Sequence, residues 1–158
     1  MTALRPMQPG NYGSYLDAAI AGYAQENVEA GRWSEVGAYE RSRDDFHALL
    51  PEGIATPDNY LFEVLEEEAG PLVGFVWYAL NRKHGSCSAY IYDLVIHEPF
   101  RRKGHARRAL LALEQHAVAL GATAMGLNVF ATNDGAQKLY RELGYVATNV
   151  NMSKPLQA

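Results

Sequence analysis

The stretch Leu94–Ala106, LVIHEPFRRKGHA, changes character three times within thirteen residues. An apolar, β-branched run gives way to a proline-marked turn, then to a knot of positive charge, then to a glycine and the opening of a helix. Five of the fourteen Lys and Arg residues fall between Arg101 and Arg108, in a chain of formal charge −4. A helix N-terminus carries N–H groups without intrahelical acceptors and the positive end of the macrodipole, so such a junction holds anions. Gly104 lets a bulky anion approach the backbone, and Arg101, Arg102 and Lys103 reinforce the field. The stretch is not a Walker loop, since no Gly-Lys-Ser/Thr follows, and not the dinucleotide Gly-x-Gly-x-x-Gly. Unaided, it reads equally well as a solvated basic helix start, and the surrounding chain has to decide.

With 158 residues, the chain can bury one sizeable core and is read as a single domain, 1–158. An apolar content of 48% and a charged content of 20% are those of an ordinary globular protein. Mild acidity argues against general nucleic-acid binding, although RRKGHARR is basic enough locally to keep that alternative in view. One cysteine, Cys87, precludes an internal disulfide framework and suits a reducing compartment. No apolar run reaches the length of a membrane span and no signal sequence is evident, so the cytoplasm is the expected location. No metal site is expected: His84 and Cys87 form an isolated pair, short of the three or four ligands zinc requires.

Upstream of the pivotal stretch, residues 3–7 suggest a short strand closed by Pro9-Gly10. Tyr12, Leu16, Ala19 and Tyr23 recur at helical spacing as far as Ala30. Ser34 then caps a second helix, with Val36, Tyr39, Phe46 and Leu50 on one face and Arg43 the polar exception. From Tyr60 the period changes. Residues 60–67, 72–80 and 88–97 are strands joined by short turns, an antiparallel meander. Downstream, Ala106, Leu110, Leu113, Ala117 and Leu120 mark a helix ended by Gly121. Residues 123–130 alternate as a strand. Asn133 caps a short helix ending at Gly144, and residues 145–152 make a last strand.

Arg101-x-x-Gly104-x-Ala106 fits (Gln/Arg)-x-x-Gly-x-(Gly/Ala) and resembles the acetyl-CoA pyrophosphate loop of the GNAT superfamily of N-acetyltransferases. A second pattern common there, Asn-x-x-Ala-x-x-Leu-Tyr-x-x-x-Gly-(Phe/Tyr), is filled at Asn133, Ala136, Leu139, Tyr140, Gly144 and Tyr145. The resemblance implies an α/β (α+β) fold with a mixed, mostly antiparallel sheet of six to seven strands flanked by about four helices. It further implies acetyl transfer from acetyl-CoA, the cosubstrate, to an amine.

Carried over residue by residue, the resemblance places the pyrophosphate on the backbone of Arg102, Lys103, Gly104, His105 and Ala106, with charge from Arg101, Arg102 and Lys103. It places the pantetheine arm along Leu94, Val95 and Ile96, near Asn133 and Ala136. Tyr140 falls where the family keeps its general acid toward the CoA thiolate.

The base is open. Many relatives carry a glutamate one residue before an Asp-Leu pair, and here that slot is Tyr92. Tyr90 shares its face by alternation, Asp93 is expected on the opposite face as a partner for a helix, and His97 lies near the loop. A water chain, or an amine arriving neutral, is the remaining route. Tyr90, Tyr92 and Asn128 are candidate acceptor contacts, and a small-molecule or peptide amine is the expected partner. Aromatic residues and carboxylates in the N-terminal half suit a cationic amine, and serve equally as core and solvated surface. His105 and His116 are expected on exposed helix surface. A homodimer is compatible with everything above, and so is a non-catalytic acetyl-CoA-binding domain.

Overall fold

The structure, a computed structural model, describes residues 2–157. Five strands form one sheet in the order β1-β2-β3-β4-β5: β1 (Ala3–Pro6), β2 (Asn59–Leu65), β3 (Leu72–Lys83), β4 (Ser86–Ile96) and β5 (Met125–Leu127). The first four pair antiparallel, and β5 lies parallel to β4 over only Ala89–Ile91. Helices α1 (Pro9–Glu29) and α2 (Ala38–Leu49) cover one face, where Tyr15, Ile20, Phe46, Phe75 and Trp77 pack together. Helices α3 (His105–Ala119) and α4 (Asp134–Glu142) cover the other. Leu110 and Leu113 of α3 lose all their surface there, each contributing about 2 kcal/mol against Val64, Val73 and Tyr78.

The junction of β1 and α1 is tied by one carboxylate. Glu63, mid-strand in β2, has no exposed side-chain surface, and accepts from Arg5 of β1, from the Gln8 backbone N–H and from Asn11 in the first turn of α1. Burial alone would raise this carboxyl; the bonds from Asn11, Arg5 and Gln8 more than offset it and hold it below the usual range.

The register of β3 against β4 slips once. Trp77 opposes Asp93 and Tyr78 opposes Ile91, so Tyr92 stands opposite no residue, a β-bulge. Before it, Ala89 and Ile91 face α3; after it, Leu94 and Ile96 do. Tyr92 and Asp93, consecutive in sequence, therefore both face α1. Asp93 is thus on the same face as Tyr90 and Tyr92, contrary to strict alternation, while its expected role as partner of a helix holds through Tyr15.

The family resemblance anticipated six to seven strands, and five form among the described residues. Residues 145–152 are irregular: Gly144 turns the chain out of α4 at a φ of 97°, and the Tyr145 hydroxyl bonds Glu114 of α3 at 3.0 Å. The segment that follows does not pair with β5. Helix α1 begins earlier than expected, with Pro9 already in its first turn, where a missing N–H costs nothing. Helix α2 begins later, behind Gly37, and buries Ala38, Ser42 and Phe46, leaving Val36 and Tyr39 exposed. Ser34 caps only a turn, accepting from the Val36 N–H.

Candidate functional site

The loop from His97 to Gly104 delivers its backbone to the first turn of α3. Phe100 bonds back to His97, and the Arg101 guanidinium donates to the Ile96 carbonyl at 2.8 Å, closing the loop on the end of β4. Arg102 and Gly104 both take positive φ, 65° and 81°. Gly104 is the N-cap of α3 and makes no side-chain cap, so the first N–H groups of the helix are left without one. Arg108 folds over this turn, donating to the Lys103 carbonyl and to Thr2, and Lys103 lies 5.8 Å from the centre of the Phe100 ring. This donor set fits a doubly charged phosphate group: uncapped amides, a left-handed glycine beneath the Arg108 guanidinium and several cations around one helix end.

Of the loop residues, His105 departs from expectation. It is 3% exposed, with Nδ1 3.0 Å from the Thr2 hydroxyl and Nε2 buried without a partner. Its backbone N–H belongs to the anion turn, but its ring belongs to the core beneath. His116 is likewise half-buried, with Nδ1 2.6 Å from the Tyr78 hydroxyl. Both sit on the sheet-facing side of α3, where the periodicity of neighbouring apolar residues carries them.

Next to the loop, β4 and β5 part. Their pairing ends at Ile91 and Leu127, so from Tyr92 to Ile96 the outer edge of β4 has no strand beside it. Leu94, Val95 and Ile96 lie on this edge with no strand beside them, room an extended amide-bearing ligand requires, although the Arg101 guanidinium already holds the Ile96 carbonyl. Across the gap stands α4. Asn133 caps it, its side-chain oxygen accepting from the Ala136 N–H at 3.1 Å, which leaves its amide nitrogen free for a ligand. Tyr140 packs on the α3-side core. The phenol-bearing residue shares a cavity with Tyr90 of β4 and Leu127 of β5, where the pairing of the two strands ends. Burial first, and the Asp93 charge second, raise it above the usual phenol range.

A cavity of about 990 Å³ runs beside this gap, and Tyr90, Asn128 and Tyr140 all line it. Tyr92 lies on the α1 side, stacked on Trp77 at 4.6 Å between ring centres and edge-on to Tyr90 at 4.8 Å. Arg32, after α1, sits 6.0 Å from the centre of the Phe130 ring beyond β5. Of the expected site residues the cavity takes Tyr90, Asn128 and Tyr140; the loop, Leu94–Ile96, Tyr92, Asn133 and Ala136 are not part of its lining. Reading the sequence missed Tyr15, whose hydroxyl donates to Asp93 Oδ2 at 2.8 Å. The bulge had a signal: apolar positions switch from odd (89, 91) to even (94, 96), as an inserted residue demands.

An uncapped helix start behind a glycine turn, a splayed pair of strands and a phenol-bearing residue on the cavity beside them define an acyltransferase-type architecture. The sequence matches the acetyltransferase (GNAT) family over residues 15–145. The chain belongs to that family and is an N-acetyltransferase. It is 40% identical over 153 residues to the uncharacterized N-acetyltransferase YycN of Bacillus subtilis, covering 97% of each chain. To a second Bacillus subtilis protein, the uncharacterized N-acetyltransferase YdgE, it is 31% identical, again over 97% of each. Among solved structures, the putative acetyltransferase YycN of Bacillus subtilis superposes with a TM-score of 0.93 at 39% identity, all of both chains being covered. A putative acetyl transferase from Pyrococcus furiosus superposes at 0.71 with 26% identity, over 99% of this chain and 100% of that one. Among the described residues, no helix is long and apolar enough to cross a membrane.

Proposed function

We propose that the protein transfers an acetyl group from acetyl-CoA directly to a primary amine. The observation that carries this reading is the alignment of three features: uncapped amides at Gly104, the strandless edge of β4, and the Tyr140 phenol where β4 and β5 separate. When bound, acetyl-CoA supplies the activated acetyl group as a thioester. The backbone of Arg102–Ala106 and the cations of Arg101, Arg102 and Lys103 hold its pyrophosphate. Leu94, Val95 and Ile96 hold its pantetheine amides, with Asn133 and Ala136 opposite.

Tyr140 assists departure of the thiolate. Unperturbed, a phenol titrates near 10 and a thiol near 8.5, so complete transfer is uphill by about 2 kcal/mol, and the raised phenol widens that gap. A hydrogen bond that strengthens as the C–S bond breaks needs no complete transfer, and a raised phenol keeps its proton through neutral pH. Tyr90, Tyr92 and Asn128 face the acceptor.

Acetyl-CoA at a hundred times its dissociation constant should raise unfolding free energy by about 2.7 kcal/mol, read as a thermal shift. Thiol release in the presence of an amine panel then tests turnover. Binding without thiol release would leave a non-catalytic acetyl-CoA-binding domain; no binding at all would end the proposal.

A further inference from the structure

The cavity of about 990 Å³ is a slot between two lengths of backbone. Every residue of 122–129 lines one side, and every residue of 143–149 lines the other. In extended chain the side chains alternate between faces, so an unbroken run of lining residues presents its edge to the slot. β5 ends the sheet, and among the described residues 146–152 make no backbone hydrogen bond. Adjacent strands lie about 4.8 Å apart and leave no cavity between them. Here a cavity separates the two runs, as a missing strand does. Apolar side chains gather around it without cover: Val118 is 68% exposed, Val146 80%, Val150 78% and Met152 92%. Edge strands are ordinarily guarded by lysines, prolines or bulges against pairing with another chain. Neither run is guarded by sequence: no charged residue and no proline occurs in 117–133 or in 143–153.

We propose that residues 145–152 of a second copy fill the slot, each copy inserting this segment into the other. Strand order across the twofold axis is then β5, the partner's segment, this copy's segment, the partner's β5. Such an order holds each segment one strand away from its own β5, which is the separation the slot shows. The segment does not close the slot by itself, because Gly144 at a φ of 97° and the Tyr145 bond to Glu114 at 3.0 Å fix where it leaves α4. Slot and segment match in number and in charge: each copy has one of each, and neither run carries a charged residue. Extended, the segment puts Val146, Thr148, Val150 and Met152 on one face, which suits the exposed Val118 beside the slot. The exchange is isologous and closes after two copies, so no unpaired edge is left to recruit a third. Burying two segments and the slots around them reaches the roughly 1,200–2,000 Å² that a stable interface removes from water. Tyr90, Asn128 and Tyr140 line the same slot, so the partner's segment completes the wall beside them. The exchange stands independently of the transferase reading, and it makes the acceptor side of that reading a two-chain site.

Light scattering and hydrogen exchange on the full chain test this. At high micromolar concentration the wild type should show twice the mass of one chain. The amides of 146–151 should then exchange about a hundredfold or more slowly than in an unstructured peptide, and should lose that protection on dilution as the mass halves. Thr148→Pro removes an N–H and cannot sit inside a paired strand, yet Thr148 is exposed and its N–H has no partner among the described residues. The variant should therefore be a folded monomer with those amides unprotected, whereas Thr148→Val should remain a dimer. A monomeric wild type overturns the exchange. A dimer in which 146–151 exchange freely overturns it too, since another surface then joins the copies. Should Thr148→Pro fail to fold, dilution of the wild type decides: protection that survives into the monomer means that the segment pairs within its own chain, and overturns the proposal.

Discussion

Arg5 of β1 grips Glu63 of β2 through both Nε and Nη2, while Asn11 of α1 and the N–H of Gln8, the residue just before that helix, donate to the other carboxylate oxygen. Three elements thus converge on a single charge with no exposed side-chain surface. Glu63→Ala leaves donors around it unsatisfied and should lower stability by about 2 kcal/mol, seen as a lower denaturant midpoint with an unchanged slope. Because folding depresses the Glu63 carboxyl, its contribution is present above the unfolded carboxylate pKa and is lost as pH falls through the folded one. The deficit of the variant relative to wild type should therefore shrink in acid.

Gly104 holds a φ of 81°, and a Cβ built there would come within 2.7 Å of Arg108 Nη1. The arginine tip can move aside, but the left-handed backbone costs a non-glycine residue about 1–2 kcal/mol. Gly104→Val should therefore fold with reduced stability and lose acetyl-CoA affinity at least tenfold, because the branched side chain fills the approach to the amides. Calorimetric titration with acetyl-CoA checks this. Unchanged affinity would place the pyrophosphate elsewhere.

Much of this site was legible in the chain. Gly104, the cations before it, and Asn133 through Tyr145 carry local chemistry, namely positive φ, an N-cap and helix periodicity, which depends on neighbours in sequence. What was not legible depends on partners far away. Tyr15 and Asp93 are separated by 78 positions, and nothing about either names the other. His105 looked like a surface residue because its neighbours are charged, but Thr2 and β1 lie over it. The strand expected at 145–152 has strand-like alternation, yet Val146, Val150 and Met152 stay exposed because the segment is tied to Glu114 rather than to a sheet edge. Pattern describes what a segment can do; long-range contacts choose.

Tyr140→Phe removes the proton and keeps the ring. The ring packs against Tyr145 at 5.8 Å and on the α3-side core, so folding should be preserved. Turnover should fall about a hundredfold with acetyl-CoA affinity nearly unchanged. Steady-state thiol release and calorimetric titration, run side by side, separate the two effects. Unchanged turnover would remove Tyr140 from the chemistry.

The two histidines of α3 give the fold a pH dependence whose sign can be worked out. Burial lowers His105 first, and Arg108 next, with Glu66 opposing and Lys103 adding; burial alone lowers His116. A histidine depressed in the folded state binds fewer protons there than in the unfolded chain. Stability therefore falls as pH drops below the ordinary histidine value near 6.5, by up to about 1.4 kcal/mol per pH unit for each group, until the folded value is passed. His116→Phe, which keeps the edge-on packing against Tyr60 and Phe62, should flatten part of that slope. It also strands the Tyr78 hydroxyl and so lowers stability at neutral pH. Denaturant midpoints of wild type and variant between about pH 5 and 7.5 should converge toward acid, the variant losing less; parallel curves would mean that His116 is protonated equally in both states.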